Sequence, residues 1–136
     1  MTTLRTFGRL LLATILLVAG VAHLVDTAEF LGQVPGRLPA RDAVVVVSGL
    51  VEIVLGAALA GARGRTLACV GVVVAAFFVL VFPGNINQYV VGSDSFGLDT
   101  DAKRLARLPF QVSLVALALA TTGAWGLLRE RWQRRR

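Results

Sequence analysis

Four apolar blocks constrain this chain more than any other feature. Residues 7–25, 43–62, 67–82 and 109–128 are each close to the roughly 20 residues that a helix needs to cross about 30 Å of hydrocarbon. The surface helices of a soluble core would show an apolar face and a polar one, whereas these blocks are apolar nearly all round. The hydrophobic share of 56% also exceeds the roughly 45–50% usual in soluble domains. The pattern predicts an all-α, integral membrane four-helix bundle, a single transmembrane domain over residues 1–136.

The first block follows Arg5 and Arg9 and ends in small residues, as a cleaved signal peptide does. It is long for a signal core, however, and its removal would leave an odd number of spans and discard the only histidine. It is therefore read as a retained helix.

The net charge of +6 raises the question of a nucleic-acid partner, and the placement of the charges answers it. With four spans, both termini share a side with the turn at residues 61–66. That side carries Arg5, Arg9, Arg63, Arg65, Arg129, Arg131, Arg134, Arg135 and Arg136 against Glu130 alone. The opposite side carries Arg37, Arg41, Lys103, Arg104 and Arg107 against six acids. Basic residues concentrate on the cytoplasmic side of membrane proteins, so both termini are expected in the cytoplasm. The Arg-rich tail then serves as a topology anchor on anionic lipid. No basic segment interleaved with aromatics suits nucleic acid, and the expected partner is the bilayer.

Cys69 is the only cysteine and His23 the only histidine. A disulfide within the chain, a CxxC relay, and a metal or haem site built by the chain are not expected.

The polar residues inside the blocks carry the remaining information. Glu52 lies in the middle of the second block, about ten residues or roughly 15 Å below its outer end. A carboxylate at that depth costs a few kcal/mol and normally faces a bundle interior, a wet cavity or a partner. Ser48, Glu52, Gly56 and Ala60 recur every four residues. They predict a small and polar packing stripe that turns Glu52 toward protein. Ala19 and His23 share a face of the first helix, Phe78 and Phe82 lead to Asn85 on the third, and Arg107 aligns with Gln111 on the fourth. His23, Glu52, Asn85, Arg107 and Gln111 are thus the candidate polar cluster, with Phe78, Phe82 and Phe110 as candidate pocket aromatics.

The two outer links, residues 26–42 and 83–108, hold most of the other polar chemistry. Residues 27–33 are expected to extend the first helix, Asp42 to cap the second, and Pro83 to end or kink the third. Residues 92–100, rich in Gly, Ser and Asp, read as a flexible loop or lid, and residues 103–107 resume helix.

His23, Glu52 with Gly56, Phe82-Pro83-Gly84-Asn85-Ile86 and Arg107-Leu108-Pro109-Phe110-Gln111 together resemble the DoxX family of small four-helix bacterial membrane proteins. Gly84 stands where that family often has alanine, which should loosen the turn. The resemblance implies a multi-pass protein of the bacterial cytoplasmic (inner) membrane. For some relatives it implies membership of quinone-linked sulfur oxidoreductase complexes. The expected function is thus an accessory or anchoring subunit of a membrane redox complex. The alternative is a quinone-binding or small-molecule-binding protein or permease with no activity of its own.

Two physical readings of the cluster stay open. In one, aromatics hold a quinone-like ring while His23, Glu52 or Gln111 bond its oxygens. The chain carries no recognisable electron carrier, so this reading needs a redox partner protein. In the other, Glu52 pairs with Arg107 or His23 and the polar groups staple the helices, while the chain anchors a partner or a second copy in a homo-oligomer.

Overall fold

Each apolar block forms the body of a helix, in which the backbone N–H and C=O groups bond one another along the chain. The computed structural model describes residues 2–136, and no strand occurs among them. In order these are α1 (Thr3–Val25), the short α2 (Thr27–Phe30), a 3₁₀ turn (Leu31–Gln33), α3 (Arg41–Gly61), α4 (Gly64–Val91), α5 (Asp101–Thr122) and α6 (Ala124–Gln133). The helices α1, α3, α4 and α5 are long and apolar enough to cross a membrane.

The long helices pack mainly as two pairs. α1 lies along α3 and α4 along α5, α1 also meets α5, and α3 shares a far smaller contact with α4. Near the end that carries the termini, Leu12, Leu16, Leu59, Leu67 and Val74 are fully buried. There Gly8 faces Leu117 and Thr121, and Gly71 faces Thr122. These glycines let the helices approach closely.

The pairing of α1 with α3 rests on small residues. A Cβ placed on Gly49 would lie 2.6 Å from His23 Cβ and 2.8 Å from the Gly20 carbonyl oxygen, so a larger residue there would push the helices apart. The buried face of α3 includes Gly49, Glu52, Gly56 and Leu59. Glu52 and Gly56 are where the four-residue spacing predicted them, but Ala60 is exposed. Steps of four residues rotate about 40° each around a helix of 3.6 residues per turn, and by Ala60 the stripe has left the interface.

Several element boundaries differ from expectation. α4 does not end at Pro83; it continues to Val91 and buries Asn85 and Gln88. A proline in a helix removes one backbone bond, here to Val79, and a packed helix tolerates that single loss. The fourth block likewise starts at Asp101, with Pro109 inside the helix and the Thr100 hydroxyl accepting from Lys103 N–H. It stops at Thr122 and not at residue 128, because Gly123 adopts the left-handed conformation (φ 80°) and α6 sets off separately. Asp42 does not cap α3. Ala40 occupies that position with φ 52° and no side-chain bond, and Asp42 lies inside the first turn, where its charge still suits the helix N-terminus.

Residues 92–100, expected as a flexible loop, are pinned. Arg104 is buried; its Nη2 donates to Asp94 Oδ1 (2.5 Å), its Nη1 to Asp101 Oδ1 (2.7 Å) and its Nε to the Ser93 carbonyl (3.1 Å). A planar guanidinium suits such a fan of acceptors. The first outer link is helical over residues 27–33 but does not extend α1: Asp26 (φ −131°, ψ 60°) breaks the helix, and α2 and the 3₁₀ turn follow separately. The two links touch where Phe96 N–H donates to Glu29 Oε2 (2.8 Å).

Candidate functional site

The close approach of α1 and α3 brings His23 beside Glu52. Glu52 Oε2 lies 2.9 Å from His23 Nδ1, and that nitrogen is also 2.8 Å from the carbonyl oxygen of Ala19, one turn back on α1. A carbonyl only accepts, so Nδ1 must carry the hydrogen that joins them. One hydrogen cannot point in line at both oxygens. It points at Ala19, and Glu52 Oε2 sits close to the ring without receiving a hydrogen bond. The 2.9 Å approach is therefore an electrostatic contact, in which the Nδ1–H dipole faces the carboxylate from the side.

An aromatic series rises from this pair toward the outer links. The His23 ring stacks on Phe30 with centroids 3.6 Å apart, Phe30 meets Phe96 edge to face at 4.4 Å, and the Arg107 guanidinium lies 5.6 Å from the Phe96 centroid. Phe96 reaches this position with φ 61°, an uncommon conformation for a bulky residue. The Arg104 anchor holds the neighbouring residues 93 and 94 in place. The two outer links thus form a roof over the bundle.

Below that roof lies a cavity of about 600 Å³, within the range of small-molecule sites. All four long helices and the first outer link contribute to its walls. Every residue of the predicted polar cluster lines it: His23, Glu52, Asn85, Arg107 and Gln111. Of the predicted aromatics, Phe78 and Phe110 line it and Phe82 does not. Phe77 and Phe30 are in the wall instead. Phe82 is one position further along α4 than Val81, which does line the cavity, and a rotation of about 100° per residue turns it off that face.

Hydrogen bonding divides these polar groups in two. Gln111 Nε2 donates to the Phe78 carbonyl (3.0 Å), and Arg107 Nη1 donates to Gln88 Oε1 (3.1 Å). Gln88 Nε2 in turn donates to the Ser95 carbonyl (3.3 Å), so Arg107 is joined to the roof and makes no ion pair with Glu52. In contrast, among the described residues Glu52 Oε2 and Gln33 Nε2 are buried without a hydrogen-bond partner. Glu52 is only 8% exposed. A buried carboxylate with no donor is costly, and most buried polar groups in proteins are paired. These residues offer hydrogen bonds that the protein itself does not use.

Phe30, Gln33, Phe77, Phe96 and Arg104 were not among the sequence candidates. Only Arg104 had a readable signal, since Asp101 precedes it by three residues and faces it on one helix. Phe30 and Phe96 come from separate links, and nothing in their spacing predicts that they meet.

A protein-family model described as Domain of unknown function (DUF8561) matches residues 12–122, and the chain belongs to that family. The match covers α3, α4 and α5 in full, α1 from Leu12 onward, and every residue that lines the cavity. No curated protein and no solved structure matches the chain.

Proposed function

We propose that this DUF8561 protein is a multi-pass protein of the bacterial cytoplasmic membrane that binds an amphipathic small molecule, with a quinone-like ring head, in the cavity beneath its outer roof. The observation that carries this reading is a cavity of about 600 Å³ whose wall holds the buried, unpartnered Glu52 Oε2 and Gln33 Nε2 beside Phe30, Phe77, Phe78 and Phe110. A bundle stapled by polar contacts would close such a space. The His23–Glu52 approach supports one staple, and the unfilled volume around it supports a ligand.

The excess of arginine near the termini supports a cytoplasmic location for both ends. The roof and cavity then lie in the outer half of the membrane. The resemblance to the DoxX family supports a role as accessory subunit in a quinone-linked redox complex. In that role a partner protein supplies the electrons, and the His23–Glu52 pair is placed to accept or pass a proton at the ring oxygen.

Purified full-length protein in lipid nanodiscs, titrated with a short-chain quinone analogue, tests the reading. Saturable binding at one site per chain, weakened at least tenfold by Phe78→Ala, is expected. Binding no greater than to empty nanodiscs would refute the cavity as a ligand site.

A further inference from the structure

The polar groups of the cavity are not equally available, and the imbalance describes the ligand. The hydrogen of His23 Nδ1 points to Ala19, the Gln111 amide donates to Phe78, and one Arg107 nitrogen donates to Gln88. The strongest acceptor present, the Glu52 carboxylate, has the His23 ring beside it but receives no hydrogen bond at Oε2. A head group that only accepts would leave it so, whereas a hydroxyl would donate to it and replace the water it lost on burial.

The walls of the cavity are also unequal. α3 packs along α1 and α4 along α5, and the contact between α3 and α4 is much the smaller. On that flank Val47 of α3 and Leu80 of α4 line the cavity and are 57% and 76% exposed. Counted outward from the turn that joins the two helices, they stand at nearly the same height. The α3 and α4 lining includes the apolar residues Val44, Val47, Val51, Leu80, Val81 and Pro83. If the bundle lies in a membrane, this side opening faces hydrocarbon.

Building on the ligand reading above, we infer that the cavity takes a tailed hydroxyl compound, a phenol or alcohol whose O–H donates to Glu52 and whose apolar tail leaves between α3 and α4 past Val47 and Leu80. The carboxylate sets the polarity of the head, and the side opening sets the need for a tail. The ligand reaches the site from the lipid phase through that side opening.

The test compares para-octylphenol with its methyl ether on the full-length protein in nanodiscs, each referenced to empty nanodiscs. The two differ in one O–H, and a hydrogen bond to a charged group is worth about tenfold or more in affinity. The phenol should bind at least tenfold more tightly than the ether, and Glu52→Gln should reduce that ratio below about threefold. Equal binding of phenol and ether by the unaltered protein would overturn the hydroxyl inference and leave the cavity reading standing. Binding of neither would overturn both. For the tail, Leu80→Trp should weaken para-octylphenol and leave para-methylphenol unchanged. Equal loss for both, or for neither, would overturn the route between α3 and α4.

Discussion

Near the termini, Leu12, Leu16, Leu59, Leu67 and Val74 fill the space between the helices, whereas further out the same four helices enclose a cavity of about 600 Å³. The inner half is apolar and brought close by Gly8 and Gly71; the outer half collects Glu52, Asn85, Arg107 and Gln111 and leaves several of their bonding groups unused. Both halves are built from the same helices, so helix formation does not explain the difference. The explanation lies in which side chains meet. Leucine and glycine interlock and exclude space, while further out polar and aromatic side chains line a gap that they do not fill.

The largest expected effect breaks the inner half. Leu59→Ala removes a fully buried side chain and should cost about 2–5 kcal/mol, whereas Val47→Ala on the cavity flank should cost less than about 0.5 kcal/mol. Unfolding of both variants in detergent measures the contrast. Similar costs would mean that the two halves are packed alike.

A smaller effect is expected where the roof is pinned. Arg104→Ala removes three donors to residues 93, 94 and 101, yet the two aspartates it frees are largely exposed and recover water. A loss of about 1–2 kcal/mol is expected. Hydrogen exchange should accelerate at residues 93–97 and stay unchanged in the middle of α1. Uniform acceleration would show that the roof and the inner half unfold together.

The smallest effect concerns an exposed pair at the edge of the roof. The Lys103 ammonium, 2.6 Å away, donates to the Asp99 carboxylate and holds its pKa below the ordinary value of 3.8. Because the folded-state pKa is the lower one, any stabilisation is present above pH 3.8 and is lost as the pH falls through the folded value. A carboxyl-carbon NMR titration should place the Asp99 midpoint below 3.8, and Lys103→Ala should return it upward. A midpoint that does not respond to the substitution would show that the pair does not persist in solution.

Much of this arrangement was legible in the sequence, and particular residues show where legibility ended. The four apolar blocks marked the long helices because composition and length report directly on what a helix can bury. The five polar residues of the cluster were legible for a related reason. His23, Glu52 and Gln111 are exceptions within apolar runs, and such exceptions turn inward, whereas Asn85 and Arg107 lie just beyond the blocks and share helix faces with Phe78 and Gln111. The ends of helices were harder. Pro83 and Gly123 look alike as helix breakers, but α4 runs through the first and α5 stops at the second, because packing can absorb one lost hydrogen bond. The spacing predicts Phe82 in the wall where the structure has Phe77, because a helix that is apolar all round has no polar face to fix its rotation. The meeting of Phe30 with Phe96 depends on two links folding against each other, and no local pattern encodes that.

Pro83 and Pro109 stand in two adjacent walls, α4 and α5, both at the level of the cavity. Each leaves its helix one backbone rung short, at the carbonyls of Val79 and Leu105. A helix bends most cheaply where a rung is missing, so these walls are compliant in their outer half and stiff in their inner half. The two proline-bearing walls thus carry one backbone restraint fewer in their cavity-level segments than in the leucine layer beneath them.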